Sequence, residues 1–245
     1  MRTYFYKFQS KSFLCAVLVI CAGVFSLTTR ELAAREFVAV AGKTEARSIM
    51  NNMLDTEASS ITIEVFEDGL PAADFSKYEL VILAPTIEYA YSPEDCGVIE
   101  EFVLQGGRLL LIQQAPKKLR ITEDNQDRAS DYLFGRSYYY RDSVACMVLE
   151  PEDPLLKGVM DANREPEWLT ADVLLNNPEF ETLIGNDGRI LVGRMKKGKG
   201  TVYYVGHELF RMQLVQRPER HADAGSWKTL LANIILDRNN TKETQ

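Results

Sequence analysis

Residues Tyr78 to Lys118 read YELVILAPTIEYAYSPEDCGVIEEFVLQGGRLLLIQQAPKK, and this stretch decides the fold. Leu80 to Ala84 is a near-continuous apolar run, as expected of a strand whose sheet is covered on both faces. Ser92 caps a helix, Pro93 takes its first position, and Glu94 and Asp95 suit the positive end of its dipole. Cys96, Ile99, Phe102 and Val103 share one face and form its buried stripe. Gly106 ends the helix in a left-handed conformation, and Gly107 lets the chain enter a second apolar strand, Arg108 to Ile112. Strand, helix and strand in this order make one βαβ unit of a parallel sheet.

The flanking segments extend that unit. Glu36 to Ala41 and Ile61 to Phe66 read as strands, with a helix from Thr44 placing Ile49, Met50, Met53 and Leu54 on one face. Glu67-Asp68-Gly69-Leu70-Pro71 supplies turn chemistry. Lys117 to Tyr140 is polar and irregular, a surface excursion with one short helix expected around Ala129 to Phe134. Val144 to Leu149 reads as a further strand, and Pro151 to Gly158 as a turn-rich connector. Arg189 to Val192 and Thr201 to Val205 read as strands joined by a hairpin-type connection, Gly193 to Gly200. Its Lys196, Lys197 and Lys199 suggest a solvated basic tip. Trp227, Leu230, Leu231, Ile234 and Ile235 mark a final amphipathic helix that docks on the sheet. The expected architecture is α/β, a flavodoxin-like three-layer sandwich with a mostly parallel central sheet over residues 35–237, followed by a polar tail, 238–245.

The first 34 residues differ in kind. Arg2, Lys7 and Lys11 precede the uncharged run Phe13 to Leu27, the pattern of a secretory signal peptide or an N-terminal membrane anchor. Val24-Phe25-Ser26 and Leu32-Ala33-Ala34 are the available cleavage sites. The expected location is periplasmic or extracytoplasmic, with anchoring to the cytoplasmic membrane through residues 13–27 left open. Removing this segment takes away four of the 28 basic and one of the 35 acidic residues, so the remainder carries about ten net negative charges. Such a domain is poorly suited to nucleic acid or anionic lipid. Two of the four cysteines, Cys15 and Cys21, fall in this segment. Cys96 and Cys146 remain; they could pair after export, but their positions on a helix stripe and a strand favour two small buried hydrophobes.

The order of Tyr78-Glu79-Leu80-Val81-Ile82-Leu83, Ser92-Pro93-Glu94 and Gly106-Gly107-Arg108-Leu109-Leu110-Leu111-Ile112 resembles the class I glutamine amidotransferase-like superfamily, in its exported or membrane-associated branch. ThuA-like proteins are the nearest alternative. Asp153-Pro154-Leu155-Leu156-Lys157-Gly158, the Gly198-Lys199-Gly200 turn and the asparagine-containing segment Leu231-Ala232-Asn233-Ile234-Ile235 agree with it. The resemblance implies a cysteine on a tight turn after the strand Arg108 to Ile112, and a histidine and glutamate after a later strand. His207 and Glu208 follow Thr201 to Gly206 as expected, but Gln113 or Gln114 stands where the cysteine belongs. Cys96 lies on the preceding helix. Amide hydrolysis by a Cys–His pair needs a thiolate, so glutaminase activity is not expected.

His207 and Glu208 are the candidate catalytic residues, as general base or, with His221, as metal ligands. Without HxH or HExxH spacing the plainer reading is a strand-end histidine bonded to a loop, and no metal is expected. Gln113, Gln114, Glu88 and Tyr89 lie on loops at the same sheet edge and are the candidate ligand-binding residues. Gly42-Lys43-Thr44 matches the end of a phosphate-binding loop, but Phe37 stands where its first glycine belongs, and no cofactor is expected. Tyr138-Tyr139-Tyr140 with Arg136 and Arg141 is either a stacking surface or a strand with alternate rings buried. The expected function is a non-catalytic binding or interaction module for a small polar ligand or a protein partner. The alternative is a ThuA-like hydrolase or carbohydrate-processing enzyme using His207 and Glu208.

Overall fold

The structure, a computed structural model, describes residues 36–42, 61–84, 87–124, 127–140, 147–159, 171–175, 177–186, 188–206 and 224–237. The leader 1–34, the helix expected from Thr44, Cys146, His207, Glu208, His221 and the tail 238–245 lie outside the described residues. Among the described residues no helix is long and apolar enough to cross a membrane.

The strands are β1 (Glu36–Ala41), β2 (Ile61–Phe66), β3 (Leu80–Leu83), β4 (Arg108–Ile112), β5 (Ser137–Tyr140), β6 (Met147–Val148), β7 (Ala171–Leu175), β8 (Glu181–Asn186), β9 (Arg189–Lys197) and β10 (Gly200–Val205). Two helices are described, α1 (Pro93–Leu104) and α2 (Ala224–Leu236), along with four 3-10 turns: Ala72–Lys77, Ala115–Lys118, Ala129–Asp131 and Pro154–Leu156. One half of the sheet is parallel, in the order β2-β1-β3-β4-β10. That is the flavodoxin-like order, with β10 as its fifth strand. Beyond β10 the sheet continues antiparallel through β9, β7 and β5, while β8 pairs with β9 and carries β6.

Alternation along each parallel strand splits the core between two faces. Val38, Val40, Leu80, Ile82, Leu110, Ile112 and Val205 pack with Leu230, Leu231, Ile234 and Ile235 of α2. Ala39, Ala41, Val81, Leu83, Leu109, Leu111, Val202 and Tyr204 pack with Phe75 and with Cys96, Ile99, Phe102 and Val103 of α1. Both faces are therefore dry, which is why β3 and β4 are apolar at nearly every position.

The segments that carry the resemblance clamp these layers. Ser92 and Asp95 form a reciprocal capping box at the start of α1. At its other end, Lys199 N donates to Leu104 O at 3.0 Å, so the β9–β10 turn caps the helix. A Cβ on Gly200 would meet Val103 O and Gly107 O at 2.2 Å, so only glycine fits there. On the other face, Asn233 Nδ2 donates to Leu155 O at 2.8 Å and Lys157 O at 2.9 Å. Asp153 caps the same turn through Leu155 N (2.9 Å) and pairs with Arg194 at 2.7 Å. Arg108, buried at the start of β4, donates from Nη1 to Ile234 O, Ile235 O and Asp237 O at 3.0–3.1 Å, closing the negative end of α2.

Three expectations need correction. β9 runs through Gly193 to Lys197, so the hairpin connection is the tight Gly198-Lys199 turn and not an eight-residue link. Lys197 is not a free solvated tip, because its Nζ lies 2.6 Å from Glu100. The helix expected at Ala129 to Phe134 is a single 3-10 turn, Ala129–Asp131. Val144 to Leu149 contributes β6, Met147–Val148, among the described residues.

Candidate functional site

The carboxyl ends of the parallel strands form the edge where sheets of this kind hold ligands. At the end of β4 the chain turns through Gln113, whose φ of 50° is left-handed. A residue with a Cβ pays about 1–2 kcal/mol for that conformation, so the turn must be held from outside. It is held by β10: Gln113 N donates to Val205 O at 2.9 Å, and Tyr204 Oη donates to Gln113 O at 3.2 Å. Gln114, with φ −87° and ψ 2°, opens the following 3-10 turn. Of the two glutamines, Gln113 is the one on the strained elbow. Its amide can donate and accept hydrogen bonds but is not a nucleophile.

Glu88 and Tyr89 lie on the loop after β3. Glu88 is exposed, and Tyr89 is half-buried with its ring 4.8 Å from that of Tyr91. Tyr91 Oη donates to Leu70 O at 2.9 Å, and its ring meets Phe75 edge-on at 5.9 Å. A Cβ on Gly69, itself at φ 125°, would come within 2.3 Å of the Tyr89 Cβ. The loop after β3 is thus tied to the loop after β2, bridging the end of β1 between them. The described contacts join Tyr89 to the β2 side and Gln113 to the β10 side. His207 and Glu208 follow β10 in the chain and lie outside the described residues.

Cys96 sits in the first turn of α1, wholly buried, with Sγ donating to Arg120 O at 3.5 Å. Burial, and then the neighbouring Asp95 charge, push its thiol up to about 12. It is an inert core cysteine and not a thiolate nucleophile. Among the described residues no group of three or more His, Cys, Asp or Glu side chains is placed to hold a metal ion.

The excursion after the elbow carries more chemistry than its sequence announces. Arg136 lies over the Tyr138 ring at 4.2 Å and pairs with Asp127, which also accepts from Tyr132 Oη. That hydrogen bond, helped by the charges of Arg136, Arg120 and Lys117, holds the Asp127 carboxyl below its usual range against the opposing effect of desolvation. Nothing in the pattern singles out Arg120 or Asp127. The available signal is Arg120-x-Thr122, two polar groups on one face of an extended segment within a stretch that otherwise reads as loop.

No family model matches the chain, and no curated protein matches it. Solved structures do. A cytoplasmic protein of Salmonella typhimurium aligns with 82% of this chain and 97% of its own, at TM-score 0.52 and 11% identity. A Thermoplasma acidophilum protein described as belonging to GMP synthase aligns over 82% and 92%, at TM-score 0.50 and 9% identity. The shared fold is an α/β sandwich around a mostly parallel sheet. A ThuA-like protein from Bacteroides uniformis aligns over 84% and 94%, at TM-score 0.49 and 14% identity. At such identities the likeness concerns the fold alone. The turn after β4 is where the sequence resemblance implies a cysteine. Here that turn has a left-handed residue whose side chain is an amide.

Proposed function

We propose that this chain is a non-catalytic, amidotransferase-like binding or interaction module, exported across the cytoplasmic membrane behind residues 1–34. The observation that carries this reading is Gln113, which occupies the elbow at φ 50° with the backbone held by two hydrogen bonds to β10. A strained turn is maintained without a nucleophile on it, and a primary amide presented there suits a small polar ligand or a partner's backbone. Glu88 and Tyr89, on the neighbouring loop, are the proposed flank of that surface. The test is ligand-dependent melting of the purified chain against a panel of polar metabolites, with hydrolysis of amide and ester substrates followed in parallel. A stabilising ligand whose effect is lost in Gln113→Ala, with no turnover, supports the reading; turnover sinks it. Export is tested separately, by fractionating cells and determining the mature N-terminus.

A second reading rests on position. Gln113 N is bonded to Val205 O, and His207 follows Val205 by two residues in the chain, so a ThuA-like hydrolase would use His207 and Glu208. It predicts turnover abolished by His207→Ala in a protein that melts as the wild type does.

A further inference from the structure

An arginine edge goes unpaired within the 117–138 excursion. Arg120 is bridged antiparallel to Tyr132, and Ile121 N donates to Asp131 O at 2.8 Å. This short ribbon lies on the first turn of α1, where Cys96 meets Arg120 O. Because α1 begins at the carboxyl edge of the sheet, Arg120 stands on the ligand-holding side of the fold.

Arg120 Nε and Nη2 are shut off from solvent and have no hydrogen-bond partner. These two N–H groups lie along one edge of the guanidinium plane, the fork that takes a carboxylate or phosphate side-on. Asp131 Oδ2 stops 4.0 Å from Nη2, outside hydrogen-bond reach, and accepts instead from Arg128 N at 2.7 Å. Thr122, two residues along the same extended segment, also has a buried Oγ1 without a partner. So does Arg136 Nε, whose terminal nitrogens are engaged by Asp127 and Tyr138. Arg120 lies 6.0 Å from the centre of the Tyr132 ring, whose hydroxyl donates to Asp127, and Asp127 pairs with Arg136, which places the two cations around one small region. Buried charged donors are rarely left unmatched, and these three side chains of one excursion carry unmatched groups.

We propose that Arg120, Thr122 and Arg136 form a receptor for an oxyanion, the carboxylate or phosphate group of a small ligand, which closes the open Nε–Nη2 edge of Arg120. The site shares no residue with the Gln113 elbow, so either assignment can fail alone. Its test is titration of the purified full-length protein with inorganic phosphate and, separately, with succinate, ionic strength being held constant with sodium chloride. Saturable binding of at least one anion is expected; which one responds distinguishes a phosphate from a carboxylate ligand. Arg120→Lys, which keeps the charge and loses the fork, should weaken that binding about tenfold. Arg128→Gln removes an exposed arginine paired with Asp124 at 3.4 Å and should leave it unchanged. In ¹⁵N-labelled wild-type protein the Nε–Hε resonances of Arg120 and Arg136 should shift with the same anion, a readout that needs no variant to fold. Responses no greater than chloride's, equal losses in the Arg120 and Arg128 variants, or strong Arg120–Asp131 coupling in a double-mutant cycle without any anion-dependent shift overturn the proposal.

Discussion

Gln113 shows how a single position can be legible in type and illegible in role. The sequence places a glutamine after β4, but only the left-handed backbone identifies which of two adjacent glutamines bears the strain. If that strain serves binding alone, Gln113→Gly should stabilise the protein by about 1 kcal/mol, read as a rise of about 2–4 °C in Tm, while removing any ligand response. Helical periodicity places Cys96 correctly, and its burial gives a second expectation. Native protein should resist alkylation at Cys96 and become labelled there in urea, as followed by peptide mass spectrometry. Burial also raises the hydroxyls of Tyr78, Tyr91 and Tyr203 above the ordinary tyrosine value, with help from Glu64, Tyr89 and Asp237 respectively. Between pH 9.0 and about 12 the folded chain therefore holds protons that the unfolded chain has released, first at Cys96 and then at the tyrosines. Stability from these groups is whole below the unfolded values and is lost as pH rises through that window. Urea midpoints should fall from about pH 8 to about pH 10.5, less steeply in Cys96→Ala.

Among the elements, those with strong local signals are legible in the sequence and those defined by their neighbours are not. α1 announces itself through Ser92, Pro93 and Gly106, and Ser92→Ala should cost about 1 kcal/mol of stability. β9 reads short because Gly193 resembles a turn residue. In the sheet that glycine is needed for close approach, since a Cβ there would lie 2.9 Å from Glu181 O and 2.7 Å from the Ile190 side chain. β7 and β8 escape the sequence reading for a related reason. β8 has an interior Gly185 and irregular pairing with β9, so neither alternation nor β-propensity marks it. The Gly198-Lys199-Gly200 turn is visible as a motif without its cause, which is the end of α1 beneath it. Gly200→Ala drives a methyl into two carbonyl oxygens and should destabilise by about 3 kcal/mol in urea unfolding.

For the molecule as a whole, the parallel core is legible because both faces of the sheet are dry, which writes near-continuous apolar runs into β3 and β4. The antiparallel extension beyond β9 is less so, because β5, β6 and β7 are short and β8 pairs irregularly. The open guanidinium edge is least legible of all, since it depends on Arg120 and Arg136 meeting around Asp127 from segments sixteen positions apart. Arg108 is the long-range contact with the largest expected effect. Arg108→Met leaves the final carbonyls of α2 without this donor and should cost about 2–4 kcal/mol, loosening the α2 face as a unit in hydrogen exchange.

β10 lies in the middle of the sheet yet comes late in the chain, between β4 and the antiparallel extension that is synthesised before it. During translation β4 has β3 on one side and an unfilled apolar margin on the other until residues 200–205 leave the ribosome. A nascent chain of this kind has a sticky seam at its centre for most of its synthesis, and a holdase chaperone would find its natural hold there. Arrest of translation shortly before Gly200 should therefore yield a protease-sensitive, aggregation-prone intermediate, whereas arrest beyond α2 should yield a resistant one.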